Sequence, residues 1–440
     1  MNAVERLADA IDAAELDLQF VRVGGIVREV SPTHYRVHGL SAVVKLGDRV
    51  RLEEGGKATI GEVVRVDETT ATVKAFDARF PVGIGMPARL MGAMFLNPAP
   101  EWKGRVINAL GEPIDERGPL VPGRRSVLID APPPAAMARQ RISKAVKTGI
   151  RVVDLFTPLC EGQRIGIFAG SGVGKSTLLS MLARSTAFDT VVVALVGERG
   201  REVREFLEGP LADNRARAVT VVSTGDESPM MRRLALVSAT AIAEYFRDRG
   251  ESVLLIVDSV TRYAHAARDV ALAAGEPAVA RGYTPSVFSD LPKILERAGP
   301  GNAGSGSITG IFAVLVDGDD HNDPIADAIR GTLDGHIVLD RAIADQGRYP
   351  AVNVLGSISR LADLVWTSEQ RNLVRSLKTM IARFEDTRDL RLMGGYHAGI
   401  DTDLDRAVVL VPRIYDALRQ DPATKPSADV FADLAQVLRA

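Results

Sequence analysis

The segment from Gln163 to Leu179, QRIGIFAGSGVGKSTLL, places Gly170, Gly172 and Gly174 directly ahead of Lys175 and Ser176. Glycines at this spacing let successive backbone N–H groups turn inward around phosphate oxygens, the following helix presents its positive end, and a lysine adds a point charge. An apolar β-like run precedes the glycines and an apolar helix start follows them, so the segment is a P-loop in its required strand–loop–helix setting. Its phosphate-contacting stretch is Ala169, Gly170, Ser171, Gly172, Val173, Gly174, Lys175, Ser176 and Thr177. Ala169 stands where the strict pattern has glycine, a strand-end position that tolerates a small side chain. The hydroxyl of Ser176 suits Mg²⁺.

Two carboxylates belong to the same chemistry. The run Ser252 to Ser259, SVLLIVDS, is an apolar strand ending in Asp258. Ligands of open α/β sheets collect at the carboxyl ends of strands, where Asp258 would hold a water on Mg²⁺ or, in the blander reading, cap the next helix. Val191 to Glu202, VVVALVGERGRE, is a second such strand, ending in Gly197, Glu198 and Arg199. A carboxylate at that edge can orient the water that attacks a γ-phosphate, which makes Glu198 the general-base candidate. The alternative for Glu198 is a surface pair with Arg199 or Arg201.

These residues need a scaffold, and the 440-residue chain is long enough for two to four domains. Val4, Leu7, Ile11 and Leu18 recur at helical spacing, so residues 1–20 read as an amphipathic helix that docks a partner, a membrane surface or its own domain. Residues 21–96 carry short alternating runs cut by glycines, the pattern of a small β-barrel or sandwich. Five prolines and the run Pro132 to Pro134 mark residues 97–137 as a stiff connector. From residue 138 to 365, β-branched runs alternate with helical stretches: Ile165 to Phe168, Val191 to Val196, Val219 to Val222, Val253 to Val257, Ile308 to Val316, Ile337 to Leu339 and Val352 to Leu355. That alternation predicts a doubly wound α/β domain with a mainly parallel sheet. Residues 366–440 read as a helical domain.

Composition narrows the function classes. Lys and Arg total 54 against 56 Asp and Glu, with 5% aromatics, so the basic stripe and stacking platform of a dedicated nucleic-acid binder are not expected. No apolar run approaches the roughly 20 residues of a membrane span, and the N-terminus lacks the Lys/Arg-led form of a signal peptide. The single Cys160 can form no internal disulfide, which fits a reducing cytoplasm.

The motifs AGSGVGKS, GERGREV, LLIVDSVTRYAHAARD, GYTPSVFSDLPKILERAG, GSITGIFAVLVDGDDHNDPIAD, LDGHIVLDR and YPAVNVLGSISR together resemble the flagellum-specific export ATPases. At greater distance they resemble injectisome type III secretion ATPases and the catalytic subunit of rotary ATP synthases. The resemblance runs from GRVINALGEPID, at Gly104 to Asp115, into the helical tail. It implies RecA-like P-loop ATPase domains in a homohexameric ring topped by N-terminal β-barrels, with ATP and Mg²⁺ bound between neighbouring subunits. Glu198 then matches the catalytic carboxylate, and Arg199 of the same segment is a catalytic candidate beside it. Arg360, in GSISR, matches an arginine finger that reaches the next subunit, against the plain reading of an exposed arginine at a strand end. Tyr349, in GRYPAV, matches the tyrosine that stacks on adenine, against the plain reading of a buried tyrosine beside Pro350. The implied partners are a regulator or adaptor at the N-terminal helix, a stalk protein facing the loop around Asp317, Asp319, Asp320 and Asp323, export substrates with their chaperones, and an export gate at the membrane. The implied location is cytoplasmic, at the flagellar base on the inner membrane. Two other readings stand beside this one: a hexameric RNA or DNA translocase, and a non-catalytic nucleotide-binding ring component.

Overall fold

The structure, a computed structural model, describes residues 23–54, 57–77, 79–209, 211–316, 323–424 and 426–439. The amphipathic segment expected over 1–20 and the acidic positions Asp317, Asp319 and Asp320 lie outside them. The chain divides into two compact units. One runs to Met94 and takes in Val270–Glu276; the other comprises Phe95–Asp269 and Pro277–Ala440.

In the first unit six antiparallel strands close into a barrel: Gly24–Val30 (β1), Tyr35–His38 (β2), Arg49–Glu54 (β3), Lys57–Val66 (β4), Thr70–Ala75 (β5) and Pro87–Gly92 (β6), in the order β1-β2-β5-β4-β3-β6. Closure leaves no open sheet edge. Inward positions such as Val27, Val37, Val50, Leu52, Val63 and Val73 are buried and form the barrel core. The period-2 pattern read from the sequence reflects this alternation of inward and outward side chains.

The second unit is built on one sheet. Its strands are Val106–Asn108 (β7), Arg164–Ala169 (β8), Thr190–Glu198 (β9), Ala218–Thr224 (β10), Ser252–Asp258 (β11), Ser307–Leu315 (β12), Gly335–Val338 (β13) and Ile358–Ser359 (β14), in the order β14-β13-β8-β12-β11-β9-β10-β7. All neighbours are parallel except the β13–β14 pair. Helices cover both faces of such a sheet, so its central strands are apolar on both sides, as the unbroken run from Val191 to Val196 shows.

Two expectations are corrected here. The proline-rich span 97–137 is more than a connector, because β7 extends the sheet beside β10. Val352 to Leu355 forms no strand: only Val352 bridges Leu339, and the Asn353 carboxamide oxygen accepts the Gly356 N–H to close a turn. β-Branched composition favours a strand, but the asparagine side chain supplies a local partner that competes with the ladder.

Beyond residue 366 three long helices form a layer. Ser368–Asp386 starts at a capping box made by Thr367 and Gln370, then packs on Thr402–Leu418, which packs on Val430–Arg439. Val374, Leu377, Ile381, Val411, Ile414 and Leu418 join the same apolar core as Ile165, Ile167 and Val193 of the sheet, so the helical layer and the sheet share one interior.

Candidate functional site

β8, β11 and β9 run parallel, with β12 between β8 and β11, so their carboxyl ends open at one edge of the sheet. β8 ends at Ala169, the loop from Gly170 to Gly174 turns, and the helix Lys175–Ala183 (α1) departs. Gly174 has φ +94°, a left-handed conformation that glycine adopts without cost, and Gly172 has φ +77°. Val173 is buried and anchors the loop in the core, while Ser171, Gly172 and Ser176 face solvent. The first N–H groups of α1 have no partner within the helix and point toward the loop's mouth, the arrangement that receives phosphate.

The predicted lysine and carboxylates converge on this edge. Lys175 Nζ pairs with Asp258 and stands 3.9 Å from Glu198 Oε1. Asp258 is 5% exposed and Glu198 7%. Burial pushes the Asp258 carboxyl up against the pull of the Lys175 ammonium, and Glu198 adds to the rise. Burial likewise raises Glu198; its pair with Arg262 draws it down, and a hydrogen bond with Glu202 raises it further. A cavity of about 390 Å³ is lined by Ser176, Thr177, Glu198, Glu202 and Asp258 among others. One serine hydroxyl and buried carboxylates around it form an oxygen donor set that fits a hard divalent cation bound together with phosphate oxygens.

How Glu198 comes to face this cavity is visible in the strand. The pairing of β9 with β10 shifts register between Val196 and Glu198, and Gly197 takes φ +67°. A bulge of this kind redirects the following side chain. A methyl group on Gly197 would stand 3.0 Å from Arg262 Cδ, so the arginine side chain would have to give by a few tenths of an ångström.

Sequence reasoning about single motifs missed two arginines. Arg262, on the helix Val260–Ala273 that follows β11, pairs directly with Glu198. Arg341 Nη2 donates to the Ser171 carbonyl across 2.9 Å and braces the P-loop. The signal for Arg262 was its position four residues past Asp258, one helical turn from the sheet edge. The Arg199 side chain is 74% exposed and stands 3.8 Å from Glu202, a residue of the cavity lining. Glu198 pairs with Arg262 and Lys175, while Arg199 and Arg201, the surface partners weighed for it, stand beside Glu202 and Glu205.

Tyr349 is 41% exposed and its ring lies against the P-loop: a Cβ on Gly174 would meet Tyr349 Cδ1 and Cε1 at 3.5 Å. Tyr349, Pro350, Ile343, Val354, Tyr415 and Leu418 line a cavity of about 310 Å³. Asp340, Arg348, Asn353 and Glu385 add polar groups to its wall, and a cavity with apolar and aromatic walls and a few polar groups beside a phosphate loop has the character of a site for a nucleotide base.

Arg360 is not at this edge. β14 runs antiparallel to β13, and the Arg360 N–H donates to the Asp334 carbonyl, while the Asp334 N–H donates to the Arg164 carbonyl. Arg360 therefore flanks the start of β8, whereas the P-loop leaves its end. Six residues of strand separate the two, roughly 20 Å at about 3.3 Å per residue. Its side chain is exposed and makes no hydrogen bond or ion pair among the described residues.

Comparison with known proteins places these features. Residues 149–359 match the ATP synthase alpha/beta family, nucleotide-binding domain, and residues 366–436 match the T3SS EscN ATPase C-terminal domain. The chain is 58% identical over 419 residues to the flagellum-specific ATP synthase of Rhizobium meliloti, covering 95% of this chain and 89% of the relative. It superposes on the assembled ATPase EscN from the enteropathogenic E. coli type III secretion system with TM-score 0.88 at 38% identity, over 94% of this chain and all of that one. EscN in complex with its central stalk EscO is similar at TM-score 0.86, again at 38% identity over 94% of this chain and all of that one. With a P-loop, two buried carboxylates and a helical C-terminal layer in these positions, the chain belongs to the ATP synthase alpha/beta family, in the branch of the flagellar and type III secretion ATPases.

Proposed function

We propose that this protein hydrolyses ATP to ADP and phosphate in a homohexameric ring that energises flagellar protein export, each site being shared between two subunits. The observation that carries the sharing is the position of Arg360. At roughly 20 Å from the P-loop of its own chain, an arginine side chain cannot reach a phosphate there, yet it projects freely to a neighbour. An arginine finger supplied in trans stabilises transition-state charge and is worth about 10³–10⁵ in rate.

Within one chain the roles follow from placement. The P-loop amides and Lys175 hold the triphosphate. Ser176 and Asp258 would hold Mg²⁺, which neutralises charge on the β and γ oxygens when bound. Glu198, kept buried and aimed by Arg262, orients the attacking water and accepts its proton. Tyr349 offers a stacking face to the base, worth about 1–3 kcal/mol by analogy with base–aromatic stacking elsewhere. Arg199, exposed and beside Glu202, would act from the rim of this cluster rather than from its buried centre.

EscN is similar to this chain and is known assembled and with a central stalk, which supports a ring and a stalk-like partner in its channel. The remaining partners follow from the export role: an adaptor on the N-terminal segment, substrates with chaperones, and a membrane export gate that recruits the protein to the flagellar base. No described helix is long and apolar enough to cross a membrane, so recruitment would act through such contacts.

Mixing two inactive chains tests the shared site. Lys175→Ala and Arg360→Ala proteins, co-assembled, should regain a fraction of wild-type turnover, because some interfaces then carry an intact lysine and an intact finger. Co-assembly without any recovery would overturn the sharing. ATPase stimulation by RNA would instead favour the translocase reading.

A further inference from the structure

The loop that carries Tyr349 is gripped at three successive residues by the end of the helix Thr402–Leu418 and the two residues after it. Arg419 Nη2 donates to the Gly347 carbonyl at 3.0 Å. The Arg348 guanidinium lies 3.7 Å from the centre of the Tyr415 ring, whose hydroxyl donates to Glu385 at 2.6 Å. The Gln420 main-chain N–H donates to the Tyr349 carbonyl at 2.9 Å.

Gln420 is itself held with unusual completeness. It is 5% exposed, and its carboxamide spans the turn that opens the helix Arg151–Phe156: Nε2 donates to the Gly149 carbonyl and Oε1 accepts the Arg151 N–H, both at 2.9 Å. The side chain therefore fixes where residue 420 sits relative to the sheet, and its N–H passes that position to the backbone of Tyr349. The Tyr349 ring in turn rests on the P-loop at Gly174.

We propose that Gln420 is a positioning residue for the nucleotide base: a glutamine of the helical layer sets where the Tyr349 ring stands and so sets the affinity for ATP. The proposal rests on the reading of Tyr349 as the stacking residue. Loss of the carboxamide leaves the buried Gly149 carbonyl and the part-buried Arg151 N–H unpaired, which loosens the anchor of residue 420. The Tyr349 ring then loses its fixed stance while the phosphate grip, built on the other side of the loop by Lys175 and α1, is untouched. Binding through the base weakens; binding through the phosphates does not.

The experiment uses the full chain and four proteins: wild type, Gln420→Ala, Tyr349→Ala and the double variant. For each, KM and kcat for ATP are measured, with the inhibition constant of inorganic tripolyphosphate, a ligand without a base. Gln420→Ala should raise KM about three- to tenfold, leave kcat within about twofold and leave the tripolyphosphate constant unchanged. In the Tyr349→Ala background it should add nothing, since the two act as one unit. Equal KM increases in both backgrounds, a parallel weakening of tripolyphosphate, or an unchanged KM would each overturn the proposal. If Tyr349→Ala leaves KM unaltered, the stacking reading fails first, and the proposal with it. Should Gln420→Ala fail to fold, Gln420→Glu serves: it keeps the acceptor for Arg151, loses the donor to Gly149, and is read by the same criteria.

Discussion

The proposed chemistry turns on how one carboxyl is tuned. Glu198 is raised above the ordinary glutamate range by burial; Arg262 opposes the rise and the hydrogen bond with Glu202 adds to it. A base works only when ionised, so a raised value moves the acid limb of the kcat–pH profile to higher pH than an unperturbed glutamate would give. Glu202→Ala removes a contribution that raises Glu198 and should shift that limb to lower pH. Arg262→Gln removes one that lowers it and should shift the limb upward. Profiles that coincide with wild type in both variants would assign the limb to another group. Glu198→Gln should cut kcat by about 10²–10⁴ while a fluorescent ATP analogue still binds. Retained turnover would favour a non-catalytic ring component.

Glu198 reaches its place through an element with a built-in defect. The register shift at Gly197 turns the end of β9 so that the next side chain enters the cavity, and the space left by the missing Cβ admits Arg262. An alanine at 197 would have to hold a left-handed φ, at a cost of about 1–2 kcal/mol, and would crowd Arg262 Cδ. Gly197→Ala is expected to lower the melting temperature and to depress kcat more than KM, which thermal denaturation and steady-state kinetics would read together. A change confined to KM would show that the bulge serves binding rather than the aim of Glu198. The glycine is plain in GERGRE, but its purpose is not, because a bulge is defined by the partner strand. The same dependence explains why Val352 to Leu355 misleads: its composition suits a strand, and only the Asn353–Gly356 turn shows that the chain has left the ladder.

For the whole molecule the order of strands is decisive. It brings Lys175, Asp258 and Glu198, separated by tens of residues in the chain, to one sheet edge, and sends Arg360 to the opposite end. A protein with a site completed by a neighbour cannot be fully active alone. Specific ATPase activity should therefore rise with protein concentration and level off as sedimentation shows the assembly saturating. Constant specific activity from a demonstrated monomer upward would remove the ring from the account. Arg360→Ala should then also act without regard to the company it keeps, contrary to the expectation for a finger acting in trans.

The P-loop, the strand-end carboxylates and the alternation of strand and helix were legible in the chain itself, because phosphate binding and sheet burial impose local patterns: a glycine spacing, a lysine and serine at a helix start, an apolar run on both faces of a strand. Which arginine meets Glu198, which stays at the surface and which end of the sheet holds Arg360 depended on contacts between segments distant in sequence. Arg199 adjoins Glu198 in the chain and stands exposed beside Glu202, while Arg262, 64 residues on, sits against Glu198. Local pattern sets what a segment can do, and strand order with helix direction sets what it meets.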